Sequence, residues 1–248
     1  MGSFKLSIDA TPEIMAMKVA DRFSQCLEGV KTPLVCPASG TTPAPLYHEL
    51  VRRHQSGAMD LSAWYFVGLD EWVGMNGGDE GSCRWWLDKD LFLPLGIGED
   101  RICFFDGRSD DLAAQCAATE RFIEQRGKMD VVILGIGTNG HIAMNEPGTD
   151  VMSRSRVVSL HPTTQTVGQK YFTTQTVLEK GVSLGLGTIR EARHIFLLAT
   201  GGHKASIIQQ ALEGPVNADV PASLLRDHPG LEVWIDEGAA GRLGRTGL

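Results

Sequence analysis

The sequence predicts an α/β fold, a single doubly wound, mainly parallel sheet with helices on both faces. Three observations predict it. Short apolar runs alternate with amphipathic segments of helix length along the 248-residue chain, which is the pattern of repeated strand–helix units. The runs Val131–Leu134 and Ile195–Ala199 are continuously apolar, as strands covered on both sides must be. Several runs end in turns rich in Gly, hydroxyl or acidic residues, and open parallel sheets bind ligands at the carboxyl ends of their strands. No repeat, low-complexity block or linker interrupts the pattern, so residues 1–248 read as one domain.

Taken in order, residues 1–10 hold a short strand through Phe4, Leu6 and Ile8. Thr11-Pro12 opens a helix, with Thr as N-cap and Pro at the first helical position. Ile14, Met17, Ala20 and Phe23 then recur at helical spacing. Leu34–Cys36 is a buried strand. It is followed by the turn Ser39-Gly-Thr-Thr-Pro43 and a helix through Leu46, Leu50 and Val51. Trp64–Val67 is a strand ending in Gly68-Leu-Asp-Glu-Trp72. Ser82–Phe92 forms a helix, Arg101–Phe105 a strand, and Ser109–Asp111 caps a helix that stops at Gly127. Strands follow at Val131–Leu134, Arg156–Leu160 and His194–Ala199, with a further strand and turn across Val182–Gly187. Thr200-Gly-Gly-His-Lys204 opens the helix Ala205–Leu212. Pro221–Leu225 is a short helix, Leu231–Ile235 the last strand, and the Gly- and Arg-rich tail from Gly238 is expected to fray.

Composition narrows the function. A net charge of -7 with no basic block argues against a nucleic-acid partner. No apolar run approaches the roughly 18 residues that would span a membrane, and a signal-peptide pattern is missing from the first residues. The five cysteines show no C-x-x-C spacing and read as free thiols in a reducing cytoplasm.

Chemistry concentrates in Met129–Pro147. The strand breaks into Gly135, Gly137 and Gly140, then delivers Asn139, His141, Asn145 and Glu146. Gly135-Ile-Gly-Thr-Asn-Gly140 matches the dinucleotide fingerprint. However, that fingerprint needs a helix at the third glycine, and Asn145-Glu146-Pro147 disfavours one. A metal site lacks a second nearby His or a Cys pair. Ser39–Thr42 gathers hydroxyls and free N–H groups before a helix, so it reads either as an anion site or as an ordinary capped turn. Asp70 and Glu71 read either as substrate-facing carboxylates or as a cap with a surface acid. Lys204 reads either as an anion-closing lysine or as a solvated one.

The segments Leu69-Asp-Glu-Trp-Val-Gly74 and Gly135-Ile-Gly-Thr-Asn-Gly-His-Ile-Ala-Met-Asn-Glu-Pro147, with the turns at 39–43 and 200–204, resemble the glucosamine-6-phosphate deaminase family. That family lies within a sugar-phosphate isomerase superfamily that includes 6-phosphogluconolactonase and has a Rossmann-like sheet. The resemblance implies a proton-transferring base at Asp70, a ring-opening histidine at His141 and its tuning acid at Glu146. It places phosphate on Ser39, Gly40, Thr41, Thr42, Lys170 and Lys204, and sets Glu71, Gly137 and Gly140 beside the sugar. It implies a small hexosamine phosphate as ligand and no metal or organic cofactor. It leaves a homo-oligomer open. Asn139 stands where the glucosamine enzymes usually have Asp, and Lys170 where they usually have Arg. Both departures resemble the galactosamine-6-phosphate branch, so galactosamine 6-phosphate is the expected substrate, with glucosamine 6-phosphate and then 6-phosphogluconolactone behind it. Asn139 is expected to fix the His141 ring without supplying charge.

Overall fold

A computed structural model describes residues 4–244. Seven parallel strands form the main sheet, in the order β1 (Lys5–Asp9), β10 (Leu231–Asp236), β9 (His194–Ala199), β6 (Val131–Leu134), β2 (Leu34–Cys36), β3 (Tyr65–Val67) and β5 (Ile102–Cys103). Side chains alternate between two apolar layers. On β6, Val132 and Leu134 face one layer, and Val131 and Ile133 the other. On β9, Ile195, Leu197 and Ala199 are opposed to Phe196 and Leu198 in the same way. The strands therefore carry unbroken apolar sequence because both faces are covered. Helix α1 (Pro12–Cys26) and α2 (Ala44–Gln55) cover one face, and α4 (Leu112–Gln125), α6 (Leu186–Arg190) and α7 (Ala205–Glu213) the other.

From β2 the chain winds outward to β3 and β5, then returns to β6 on the other flank of β2 and winds the opposite way to β9 and β10. The loops after β2 and β6 therefore diverge, and the crevice between them is the place where such sheets take ligands.

The structure corrects the expected architecture in several places. Asp70–Trp72 is not a turn but strand β4. It pairs antiparallel with β8 (Lys180–Ser183), which pairs with β7 (Arg156–Ser159) in a second, three-stranded sheet. Its partners lie over a hundred positions away along the chain, so no local pattern announces it. In α1 the buried stripe is Met15, Ala16, Val19, Ala20 and Phe23, while Ile14 and Met17 are exposed. The expected strand at Arg101–Phe105 pairs only over Ile102–Cys103, preceded by a 3₁₀ turn at Glu99–Arg101. The helix from Ser82 is α3 (Cys83–Leu87), and it widens into a π-helical turn over Asp88–Phe92. The segment expected to fray at Gly238 is helix α8 (Glu237–Ala240), because Asp236 Oδ1 accepts from Ala239 N at 2.7 Å. Residues 245–248 of that tail, and 1–3 of the first strand segment, lie outside the described residues.

Candidate active site

The crevice at the switch point opens into a cavity of ≈ 200 Å³. The β2 loop lends it Ser39, Thr41 and Thr42, the β6 loop Gly137, Thr138 and His141, and the start of β4 Asp70. The helix α5 (Pro162–Gly168) and the 3₁₀ turn after it add Thr164, Lys170 and Tyr171, and the turn after β9 adds Lys204. Tertiary packing thus brings together residues spread over more than half the chain.

Asp70 is buried at the cavity floor. Burial raises its carboxyl to about 6, opposed by the neighbouring Cys83 thiol and by the His141 ring. It is ionised at neutral pH yet remains basic, as a general base should be. Glu71 beside it does not line the cavity. Its Oε1 accepts from Trp72 N at 2.8 Å and Cys83 N at 2.9 Å, and its Oε2 accepts from Arg84 N at 3.0 Å. Burial pushes it up to about 7 against the pull of these donors. Glu71 is a buckle that ties β4 to the start of α3 and so fixes the backbone at Asp70.

His141 sits on a tightly folded loop. Gly137 N donates to His141 O at 3.0 Å and Gly140 N to Gly137 O at 3.0 Å. Ala143 adopts a left-handed φ of 52°, a strained value for a non-glycine residue that such sites tolerate when the surroundings impose it. Buried Asn145 pins the loop, donating to Ile142 O and Leu184 O at 3.0 and 2.9 Å and accepting from Arg156 Nη1 at 3.0 Å. Gly140 has φ 85° and packs against Val220, not the cavity. Gly40, with φ 102°, faces the Tyr171 hydroxyl. Both earn their place through backbone conformation. Gly137 differs, since a methyl there would overlap the His141 imidazole. Gly137→Ala is therefore expected to displace the ring and lower kcat by roughly 10²-fold, as for a misplacement of about 1 Å. The thermal midpoint should move by less than about 5 °C. Parallel kinetics and calorimetry check both.

Asn139 does not touch the imidazole. Its Oδ1 accepts from His141 N at 3.2 Å, and its Nδ2 donates to Glu146 Oε2 at 2.8 Å. The ring Nδ1 lies 3.6 Å from Glu146 Oε2 and 3.1 Å from Thr164 Oγ1. Burial works against ionisation of Glu146, but the His141 ring, the Thr164 hydroxyl and the Asn139 amide hold its pKa down to about 2. Sequence reading singled out Asn139 as the ring's partner and missed Thr164. A threonine in a Thr/Gln-rich stretch carries no local signal of such a contact.

Elsewhere in the cavity lining, Lys204 Nζ donates to Ile136 O at 2.6 Å. Burial and the Lys170 charge lower its pKa to about 8, and burial lowers that of Lys170. Thr41, Thr42 and Pro43 bring the N-terminus of α2 to the same cavity. Two ammonium groups and a helix N-terminus together favour an anion. Among the described residues, Cys26, His194 and Glu232 are grouped as metal ligands would be. That cluster involves the starts of β9 and β10, at the opposite end of the sheet, and Arg22 Nε occupies Glu232 at 2.8 and 3.0 Å.

Known proteins resemble this chain. The family described as glucosamine-6-phosphate isomerases/6-phosphogluconolactonase matches residues 9–234. A glucosamine-6-phosphate deaminase of Bacillus velezensis is 36% identical over 230 residues, covering 92% of this chain and 95% of that protein. A solved monomeric glucosamine-6-phosphate deaminase superposes with a TM-score of 0.93 at 32% identity, over 97% of this chain and all (100%) of the other. The 6-phosphogluconolactonase of Trypanosoma brucei superposes with a TM-score of 0.75 at 21% identity, over 98% and 100% of the two chains, and shares the fold. With residues 9–234 and nearly its whole length matched, this chain belongs to the glucosamine-6-phosphate isomerase/6-phosphogluconolactonase family.

Proposed function

We propose that this enzyme deaminates and isomerises a hexosamine 6-phosphate, with glucosamine 6-phosphate as substrate. The observation that carries the reading is one cavity lined by a buried, basic carboxylate, an imidazole and two lysine ammonium groups. The galactosamine preference expected from Asn139 and Lys170 gives way, because the relatives with high coverage bear the glucosamine name. Asn139 also faces Glu146 and the loop backbone instead of the ring, which weakens it as a mark of substrate.

In this reading the phosphate lies against Lys204, Lys170 and the start of α2, and binding there orients the reacting carbons. His141 takes the proton of the anomeric hydroxyl and returns it to the ring oxygen, opening the sugar. Asp70 removes the proton from C2 while the substrate's own ammonium gives a proton to O1, leaving an enolamine with C1 and C2 doubly bonded. The same carboxyl group gives a proton to C1. The C2 imine adds water and expels ammonia, and the product is a 2-ketose 6-phosphate. Every proton taken is returned, and no redox partner is needed.

Asp70 and Lys204 set opposite pH limits. Asp70 must be ionised, so kcat/KM falls as pH drops through about 6, and Lys204 must be protonated to meet phosphate, so it falls as pH rises through about 8. A bell with these limbs is expected, and Lys204→Arg should move the alkaline limb upward because guanidinium stays charged. An unmoved limb would separate Lys204 from substrate binding. The substrate is tested by supplying glucosamine 6-phosphate, galactosamine 6-phosphate and 6-phosphogluconolactone and following ammonia and acid release. Ammonia from glucosamine 6-phosphate at the highest kcat/KM supports the reading, and acid from the lactone without ammonia from either amino sugar overturns it.

A further inference from the structure

We propose that Thr164 is a positioning residue for His141. Its hydroxyl accepts the Nδ1 hydrogen of the ring and donates its own to Glu146, leaving a bare Nε2 towards the cavity. The consequence for turnover rests on the reaction proposed above, whereas the ring tautomer can be read without it.

Geometry and hydrogen-bond capacity lead there. Thr164 Oγ1 is 3.1 Å from Nδ1, within reach, and Glu146 Oε2 at 3.6 Å is beyond it. The hydroxyl is also among the groups that lower the Glu146 pKa, as a donor to an ionised carboxylate does. A threonine hydroxyl offers one hydrogen and two lone pairs, whereas an ionised carboxylate only accepts. The hydrogen therefore goes to Glu146, and the lone pair that remains suits an Nδ1–H donor. A neutral imidazole carries one N–H, so protonation at Nδ1 leaves Nε2 as the acceptor. Nε2 is then free to take the proton of a sugar hydroxyl. Asn139 cannot substitute, because its amide is spent on Glu146 and on the His141 backbone.

The local sequence explains why Thr164 arrives in register. Glu146 Oε1 accepts from His161 N at 3.2 Å, and the His161 ring caps α5 by accepting from Thr163 N at 3.2 Å. Pro162 takes the first helical position, where its missing N–H costs nothing. Glu146 thus holds both the helix start and, through Thr164, the ring. Thr164 is 6% exposed, and its branched Cβ restricts the rotamers open to the hydroxyl.

The test compares Thr164→Val, which keeps the shape without the hydroxyl, with Thr164→Ser, which keeps the hydroxyl. Thr164→Ala serves if valine packs badly. Two-bond ¹H–¹⁵N spectra, with the His141 signal assigned by its loss in His141→Gln, report the tautomer of the neutral ring. Wild type and Thr164→Ser are expected to show Nδ1–H, and Thr164→Val a shift towards Nε2–H. With glucosamine 6-phosphate, Thr164→Val should lose roughly 10–100-fold in kcat, a part of what general acid–base catalysis contributes. KM should stay within about twofold, and Thr164→Ser should recover most of the loss. Retention of Nδ1–H in Thr164→Val, or kcat within twofold of wild type, overturns the assignment. If wild type releases no ammonia, the proposed reaction fails, and the spectra still decide the role of Thr164.

Discussion

Asp70→Asn is expected to lose most of its turnover while making the protein more stable. The amide keeps the shape of the carboxylate but cannot take a proton from C2, so kcat should fall by the roughly 10²–10⁴-fold that a positioned base supplies. Substrate should still bind, because the proposed phosphate contacts come from other residues of the cavity lining, Lys170 and Lys204 among them. The stability gain follows from linkage. Burial raises the Asp70 carboxyl from 3.8 to about 6. A carboxyl with a raised folded-state pKa favours the folded state when protonated, below about pH 4, and that advantage is lost as pH rises through about 6. At pH 8 the ionised carboxylate therefore costs up to roughly 3 kcal/mol, at 1.36 kcal/mol per pK unit, and Asn removes this cost. Denaturant unfolding at pH 8 should give a higher midpoint for Asp70→Asn, with the gap closing towards pH 4. A lower midpoint at pH 8, or ammonia release within tenfold of wild type, would show that Asp70 is not a desolvated base.

Lys204→Ala should raise KM more than it lowers kcat. Hydrogen bonds to charged groups are worth roughly 1.5–3 kcal/mol, which corresponds to a 10- to 150-fold loss of affinity. Lys170 lies close enough to lower the Lys204 pKa, so a dianionic phosphate relieves their mutual repulsion as well as pairing with each. Binding therefore raises the lysine pKa. The affinity is strongest below about 8 and declines as pH rises through it. Titration calorimetry with inorganic phosphate at pH 7 and pH 9 checks the direction. Equal affinity at both values, or wild-type KM in Lys204→Ala, would place the anion elsewhere.

How much the sequence disclosed depended on the range of the forces involved. Val131–Leu134 and Ile195–Ala199 were legible as central strands because burial on both faces is written into consecutive residues. The turns after β2 and β9 were legible because glycine and hydroxyls mark the end of a strand locally. Ser39, Thr41, Thr42, Asp70, His141, Lys170 and Lys204 do meet at one cavity. What stayed hidden depends on partners distant in sequence. Asp70–Trp72 becomes a strand only by pairing with Gly181–Ser183. Glu71 looks like a second substrate acid until the N–H groups of Cys83 and Arg84 close on it. Thr164 resembles its polar neighbours until α5 docks against the β6 loop. In α1, spacing alone could not choose between the Ile14/Met17 stripe and the Met15/Val19 stripe, and contact with the sheet chose the second.

The central claim is that one carboxylate carries a proton from C2 to C1 of an opened amino sugar. The most direct test is to turn over glucosamine 6-phosphate in ²H₂O and examine the ketose phosphate by NMR. A single base on one face, exchanging its proton with solvent, predicts one deuteron at C1 in one configuration. Deuterium scrambled between both C1 positions would contradict the assignment of Asp70.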